Sequence, residues 1–416
     1  MTSNNLPDAG SRKHVHPSIF MFVYLPFGVL SGYVTVTLGY MLTSAGVPLA
    51  QVAPVVSVGL LPNILKFLWA PLIDTTLTVK KWYLLTNILT AIGLITIGIL
   101  PFKVEYVTTI TLVVLFTNVA NSFIAMSTES LLAHDVPENL KGRAGGWLQA
   151  GNLGGLGLGG GAGLWLADNI SPFASSAVIA IACLLCSFGL IFLSEPPSFI
   201  KERSYLKTIK NLNRDIWTLL KSRMGFLALV LCFIPIGSGA ASNLWSSISK
   251  DWGASANTVA LIVGVVGGVL SAIGCLAGGW ISDLMDRKRA YILFGIVQAL
   301  CALGMAFSPR TQEMFVLWTS LYALSTGLTY AGFSAFVLEA IGKGAAATKY
   351  NVFASLSNAP IYYMIFIDEW AHGKWSAFGM LIAEVIMAVI GIVLFISVYI
   401  SVNKLKPATV SKSLKY

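Results

Sequence analysis

Leu61-Pro62-Asn63-Ile64-Leu65-Lys66-Phe67-Leu68-Trp69-Ala70-Pro71-Leu72-Ile73-Asp74 closes an apolar run that begins near Gln51, and it carries a lysine about two helical turns before its acidic end. A lysine at that depth in hydrocarbon costs roughly 2.5–3.5 kcal/mol on insertion scales, so Lys66 is expected to face protein, water or a partner. Reaching the interface from there would be a long way for its stem to stretch. Pro62 and Pro71 lie in the same segment, where neighbouring helices must satisfy the freed backbone groups. The stretch reads as a membrane-crossing helix with one charge turned inward.

The rest of the chain agrees with a membrane setting. Of its 416 residues 56% are hydrophobic and only 11% charged, with a mean hydropathy of +0.77. Soluble domains carry about a quarter charged residues, so the composition specifies an all-α integral membrane protein. Windows of about twenty apolar residues give twelve spans: 18–44, 49–74, 82–101, 106–133, 144–167, 172–193, 225–248, 257–282, 290–308, 313–340, 348–367 and 375–402. One long polar segment, 194–223, opens with Glu195-Pro196-Pro197 and carries seven Lys/Arg. It divides the chain into an N-terminal tail (1–17), a six-helix bundle (18–193), a linker (194–223), a second six-helix bundle (224–402) and a C-terminal tail (403–416). Ile209, Leu212, Ile216 and Leu219/Leu220 recur at helical spacing within the linker, which predicts an amphipathic helix on the membrane surface.

Orientation follows from the basic residues. With both termini and the linker on one side, that side collects 22 of the 27 Lys/Arg; four (Lys103, Lys250, Arg310, Lys374) fall on the other and Lys66 lies between. Both termini are therefore expected in the cytoplasm, and the net charge of +9 is a topology signal, not a nucleic-acid site. The run from Ile19 to about Ser44 is too long for a signal-peptide core, so it reads as an uncleaved first span. Cys183, Cys186, Cys232, Cys275 and Cys301 all fall in apolar runs and the four histidines lack ligand spacing, so neither a disulfide framework nor a metal site is expected.

The two halves echo each other. Asp74 ends the second span before Lys80-Lys81, and Asp283 ends the eighth in Gly279-Trp280-Ile281-Ser282-Asp283-Leu284-Met285-Asp286-Arg287-Lys288-Arg289. Arg143, Gln149 and Asn152 of the fifth span correspond to Lys349, Ser355 and Asn358 of the eleventh at one constant offset. Twelve helices in two pseudo-symmetric bundles around a charged linker form the pattern of an alternating-access transporter.

The stretch Gly279 to Arg289 resembles the signature of the major facilitator superfamily, with Asp286 where a glycine is usual. Leu65 to Asp74 resembles the second helix of the AmpG-type muropeptide permeases, the acetyl-CoA transporters and some siderophore importers of that superfamily. Gly142-Arg143-Ala144-Gly145 and Gly160-Gly161-Ala162-Gly163-Leu164-Trp165-Leu166-Ala167-Asp168 look like the fifth helix of the muropeptide permeases. The likeness covers most of residues 20–170 and implies the major facilitator fold. Where that family carries two aspartates four residues apart in the fourth helix, Glu129 holds the second position and Ala125 the first.

Glu129 shares one helix face with Asn118 and Ser122, with Asn121 close by. An intramembrane carboxylate beside Lys66 is a candidate carrier of a proton or of coupled charge. Tyr24, Tyr33, Gln149, Asn152, Asn243, Trp245, Tyr330, Asn351, Asn358 and Tyr362 are the candidate lining of a central cavity suited to a polar, anionic organic solute. In the superfamily's packing Asp74 would face a helix N-terminus near Tyr350-Asn351, and Asp283 one near Arg143-Ala144; with Arg143 and Arg287 they form a candidate gate. Glu339 is expected to pair with Lys343, and Glu384 sits in a peripheral twelfth span. The stripe Gly151, Gly155, Gly159, Gly163 is expected to pack at the interface between halves, as is Gly264, Gly268, Ala272.

The leading expectation is a monomeric secondary transporter in a bacterial inner membrane, importing a sizeable polar organic solute, muropeptide-like or another anionic cargo, with protons by alternating access. Siderophore import and drug export on the same fold are alternatives. No cofactor is expected, and the absence of a Walker motif excludes ATP hydrolysis by this stretch of chain. A receptor or scaffold should carry a sizeable sensing domain, and an intramembrane enzyme a nucleophile–base pair; neither is present in the sequence.

Overall fold

The computed structural model describes residues 15–59, 61–196, 205–341 and 346–404, and every regular element among them is a helix. Ile19–Ser44, Val79–Ile99, Val104–Asp135, Pro172–Phe192, Asn257–Leu284, Arg287–Phe307 and Gln312–Ile341 are each long and apolar enough to cross a membrane. Thr348–Val402 contains the eleventh and twelfth spans, folded back on one another at Trp375 and Ser376, where Ser376 takes a left-handed φ of 56°. The eleventh span therefore runs past 367, where the hydropathy profile ends it, and holds Asp368 within its wall.

Three further spans are not single long apolar helices, each for a physical reason. The second is broken into Leu49–Val58, Leu61–Leu65, a 3₁₀ turn at Lys66–Leu68, and Ala70–Thr75, with Pro54, Pro62 and Pro71 removing backbone donors along the way. The fifth, Lys141–Asn169, is one continuous helix whose many glycines dilute its hydropathy. The seventh stops at Phe233 and resumes at Ala240; Pro235 and the positive φ of Gly237 and Gly239 make the break between. With these three, twelve spans are present among the described residues. Large apolar side chains such as Phe116, Phe188, Ile191, Phe307 and Phe366 stand exposed around the bundle, as expected of an integral membrane protein.

The glycine stripe of the fifth span does a different job from the one expected. Gly151, Gly155 and Gly159 pack on Met21, Leu25 and Val29 of the first span and Gly163 on Thr37, so this face lies inside the N-terminal half. The face turned to the other half carries Gly142, Gly146, Gly157 and Gly161, set against Gly279, Cys275, Gly268 and Val265 of the eighth span. Gly268 and Ala272 of the eighth do face across the halves, while Gly274 and Gly278 meet the tenth span. A four-residue repeat names a helix face but not its neighbour, which is why the sequence misassigned it. A Cβ at Gly28 would overlap the backbone carbonyl of Asn152, whereas one at Gly264 would meet open space. Gly28→Ala should therefore destabilise the fold by about 1–3 kcal/mol. A thermal-melting comparison in detergent, with Gly264→Ala as the neutral control, checks this.

In the linker, Tyr205–Lys221 is helical and its Arg214–Lys221 part meets Arg223–Phe233 at 85°, with Ser222 Oγ accepting from the Gly225 N–H at 3.0 Å. Leu219 and Leu220 pack on the core and Lys221 lies 4.9 Å from the centre of the exposed Trp217 ring. The side chains of Ile209 and Leu212, like Lys343, lie outside the described residues.

Candidate functional site

The 3₁₀ turn at Lys66–Leu68 places the lysine. Trp69, just after it, donates from Nε1 to Ser122 Oγ at 3.0 Å and so pins the broken helix to the fourth span. The Lys66 side chain then runs inward, 5.8 Å from the Phe27 ring centre, and its Nζ lies 3.5 Å from Glu129 Oε1. Lys66 is 4% exposed and Glu129 1%, so the amine is not among lipid headgroups.

Glu129 is the node of the site. Its Oε1 also accepts from Tyr24 OH at 2.7 Å, and its Oε2 accepts from Asn351 Nδ2 at 2.8 Å. The first, second, fourth and eleventh spans thus converge on one carboxylate, and Asn351 reaches it from the opposite half. Removing one partner of a buried ion pair costs about 3–5 kcal/mol, because the remaining charge is stranded. An ionised Glu129 with three partners is satisfied; a protonated one no longer attracts Lys66. A second cross-half chain lies beside it: Asn152 Nδ2 donates to Gln149 Oε1 at 3.1 Å, Gln149 Nε2 to Ser334 Oγ at 2.8 Å, and Ser334 bonds Tyr350 OH at 2.8 Å.

Towards the linker end of the bundle the halves are latched at symmetry-related places. Asp74 Oδ2 accepts from the Thr348 backbone N–H at 2.9 Å and from its hydroxyl at 2.6 Å, so the contact falls at Thr348, two residues before the expected Tyr350-Asn351. Asp283 accepts the Gly142 N–H on Oδ1 at 2.7 Å and the Arg143 N–H on Oδ2 at 2.8 Å. Both aspartates meet the free N–H groups of a helix that begins in the other half. Lys141 Nζ donates to the Leu338 carbonyl at 2.8 Å, and Arg287 Nη1 pairs with Glu138 at 2.9 Å and Glu339 at 3.2 Å. Glu339 therefore has Arg287 as an ion partner, on the ninth span.

A model of the Major Facilitator Superfamily matches residues 20–362. The chain belongs to the Major Facilitator Superfamily. It is similar to the anhydromuropeptide permease of Escherichia coli K12, 23% identical over 351 residues that cover 80% of this chain and 70% of the relative. Its fold matches that of the Escherichia coli fucose:proton symporter FucP with a TM-score of 0.68 at 14% identity, over 94% of this chain and 99% of that one. It also matches the human organic anion transporter MFSD10 with a TM-score of 0.68 at 14% identity, over 91% and 98% of the two chains. The protein is thus a membrane transporter of the major facilitator fold and not an enzyme.

Within that fold the remaining candidate residues separate. Tyr330 and Asn358 line a cavity of about 60 Å³ in the C-terminal half, together with Ser238, Tyr291 and Ser357. Asn118 and Asn121 instead donate to the carbonyls of Val114 (2.9 Å) and Phe27 (3.1 Å), and Asn243 to that of Ala240 (3.0 Å). Tyr33 and Trp245, read from sequence as cavity lining, are packed inside apolar clusters, Trp245 edge-on to Tyr322 at 5.1 Å. Tyr362 is 41% exposed. The three amides each reach a backbone carbonyl within the helix walls and the two aromatics are packed among neighbouring apolar side chains, so these residues act in packing the bundle. Sequence reasoning passed over Thr348, Ser334, Lys141 and Asp368; the first three were hidden because their partners lie in the other half.

Glu138, in the loop before the fifth span, responds to acid. Burial works to raise its carboxyl, but hydrogen bonds from Lys141 and Arg287 outweigh this and hold it below the ordinary carboxylate value. A lowered folded-state value means that its contribution is present above the unfolded value and is lost as pH falls through the lower one. Wild type and Glu138→Gln should therefore differ in melting temperature at neutral pH and converge in acid. The difference should be small, since the Glu138 side chain is 65% exposed.

Proposed function

We propose that this transporter imports a polar organic solute with an anionic group, of the anhydromuropeptide class, in symport with protons. The observation that carries the reading is the buried Lys66–Glu129 pair tied across the halves by Asn351. Protonating Glu129 cancels its charge, weakens its hold on Asn351 and leaves the Lys66 ammonium without a counter-ion. A solute carboxylate then supplies that counter-ion. One event thus both prepares the site for an anion and loosens the link between halves, and coupled symport requires both. The solute class is supported by the printed name of the bacterial relative, and proton coupling by the company of FucP among proteins of this fold. The excess of Lys/Arg on the linker side supports cytoplasmic termini, and the bacterial relative supports an inner-membrane location.

Uptake of radiolabelled anhydromuropeptide into proteoliposomes tests this. An acid exterior should drive accumulation inward, and Lys66→Met should abolish binding of the labelled solute while the protein remains in the membrane. Uptake that is indifferent to the gradient removes proton coupling; no uptake of this solute with a pH response otherwise intact removes only the solute class.

A further inference from the structure

The eleventh and twelfth spans carry a second pair of buried carboxyls, Asp368 and Glu384. Asp368 lies seven residues before Trp375 and Glu384 eight after Ser376, so the sharp bend between the spans brings them to one depth. Asp368 is 0% exposed and Glu384 7%. Glu384 Oε1 accepts from the Ala241 N–H at 2.8 Å and from Tyr322 OH at 2.9 Å. Asp368 has Glu384 as its electrostatic neighbour, and neither of its oxygens has a hydrogen-bond partner.

Among the described residues no cation pairs with either carboxyl. The seventh span contributes the Ala241 N–H, the ninth Gln298 and Cys301, the tenth Tyr322, and the twelfth Glu384. On the eleventh span itself His372 stands one turn beyond Asp368, and Glu369 and Lys374 are exposed. Gln298 Oε1, in the small cavity that Glu384 also lines, is a further buried acceptor without a donor.

A fully buried carboxylate with neither cation nor donor is not sustained; the group neutralises instead. Glu384 accepts two hydrogen bonds and Asp368 none, so the buried charge left without support is that of Asp368. We infer that the Asp368–Glu384 pair is a proton-binding site of the C-terminal half, with the proton on Asp368. It stands apart from Glu129 in both sequence and fold, and does not depend on the solute or coupling proposed above.

Infrared difference spectroscopy on the full chain in lipid reads the proton directly, through the C=O stretch of a protonated carboxyl. At neutral pH that band should be present in the wild type, lost in Asp368→Asn, and retained in Glu129→Gln. Glu384→Gln should also retain it, at a shifted frequency, which keeps the assignment testable if Asp368→Asn does not fold. Exchanging choline for sodium at fixed pH should leave the wild-type band in place. A band that survives in Asp368→Asn, that vanishes in Glu384→Gln, or that sodium abolishes would overturn the proposal, the last by making the occupant a metal cation.

Discussion

Glu129→Gln should exchange solute across the membrane at close to the wild-type rate yet accumulate none of it against a gradient. The wild type, moving one proton with each solute, should reach about tenfold accumulation for each pH unit imposed. The variant should stop at equal concentrations inside and outside. Gln keeps an acceptor for the Tyr24 hydroxyl at the Oε1 position and preserves the volume of the site. It removes the ionisable group, and with it the ability to alternate between holding Lys66 and releasing it, and it turns the oxygen that accepts from Asn351 into a donor, so that link is lost as well. Counterflow and gradient-driven uptake measured on one preparation separate the two activities. Loss of both would make Glu129 a structural anchor; retention of both would move the coupling proton elsewhere, with Asp368 the next carboxyl to test.

The second large effect is expected at the gate. Asp283 spends one oxygen on each of two N–H groups at the start of the fifth helix, and its side chain is only 3% exposed. Gly142 permits this approach, since a Cβ there would collide with the Asp283 carboxylate. In Asp283→Asn one oxygen becomes an NH₂ that points at a backbone donor, so one bond is lost and the charge that favours the helix N-terminus goes with it. A hydrogen bond to a charged group contributes about 1.5–3 kcal/mol, enough to shift a two-state equilibrium roughly 10- to 100-fold. The linker end should open accordingly. A cysteine introduced at Ser130, buried in the closed form, should react with a water-soluble maleimide roughly ten times faster in Asp283→Asn than in the wild type, in a background free of native cysteines. Solute affinity in a fixed state should be little changed. Unaltered labelling in both Asp283→Asn and Asp74→Asn would make these residues surface charges.

The parts of this protein that were legible in its sequence are those written as charge against an apolar background. Lys66 and Glu129 stand out because each is costly in a span, and Asp74 and Asp283 because each ends a span at the same place in its half. The cost of an isolated charge predicted that Lys66 turns inward, and the amine lies on Glu129. What the sequence could not carry is who meets whom between halves. Asn351 is one amide among several until the fold brings it to Glu129 Oε2. The two faces of the fifth span have equally good glycine repeats, and only packing decides which meets the eighth. Asp368 was hidden by a boundary: a hydropathy window stops at the first pair of acids, although the helix runs on for nearly two further turns.

If Glu129 carries the coupling proton, its protonation state should govern closure of the linker end. Spin labels at Leu77 in the N-terminal half and Met285 in the C-terminal half sit on exposed positions flanking that end, and the distance between them can be followed by pulsed electron resonance. On acidification the wild-type distance distribution should move toward longer separations, and Glu129→Gln should populate the longer separations already at neutral pH. A variant that closes as the wild type does at neutral pH, and opens in acid as the wild type does, would contradict the account.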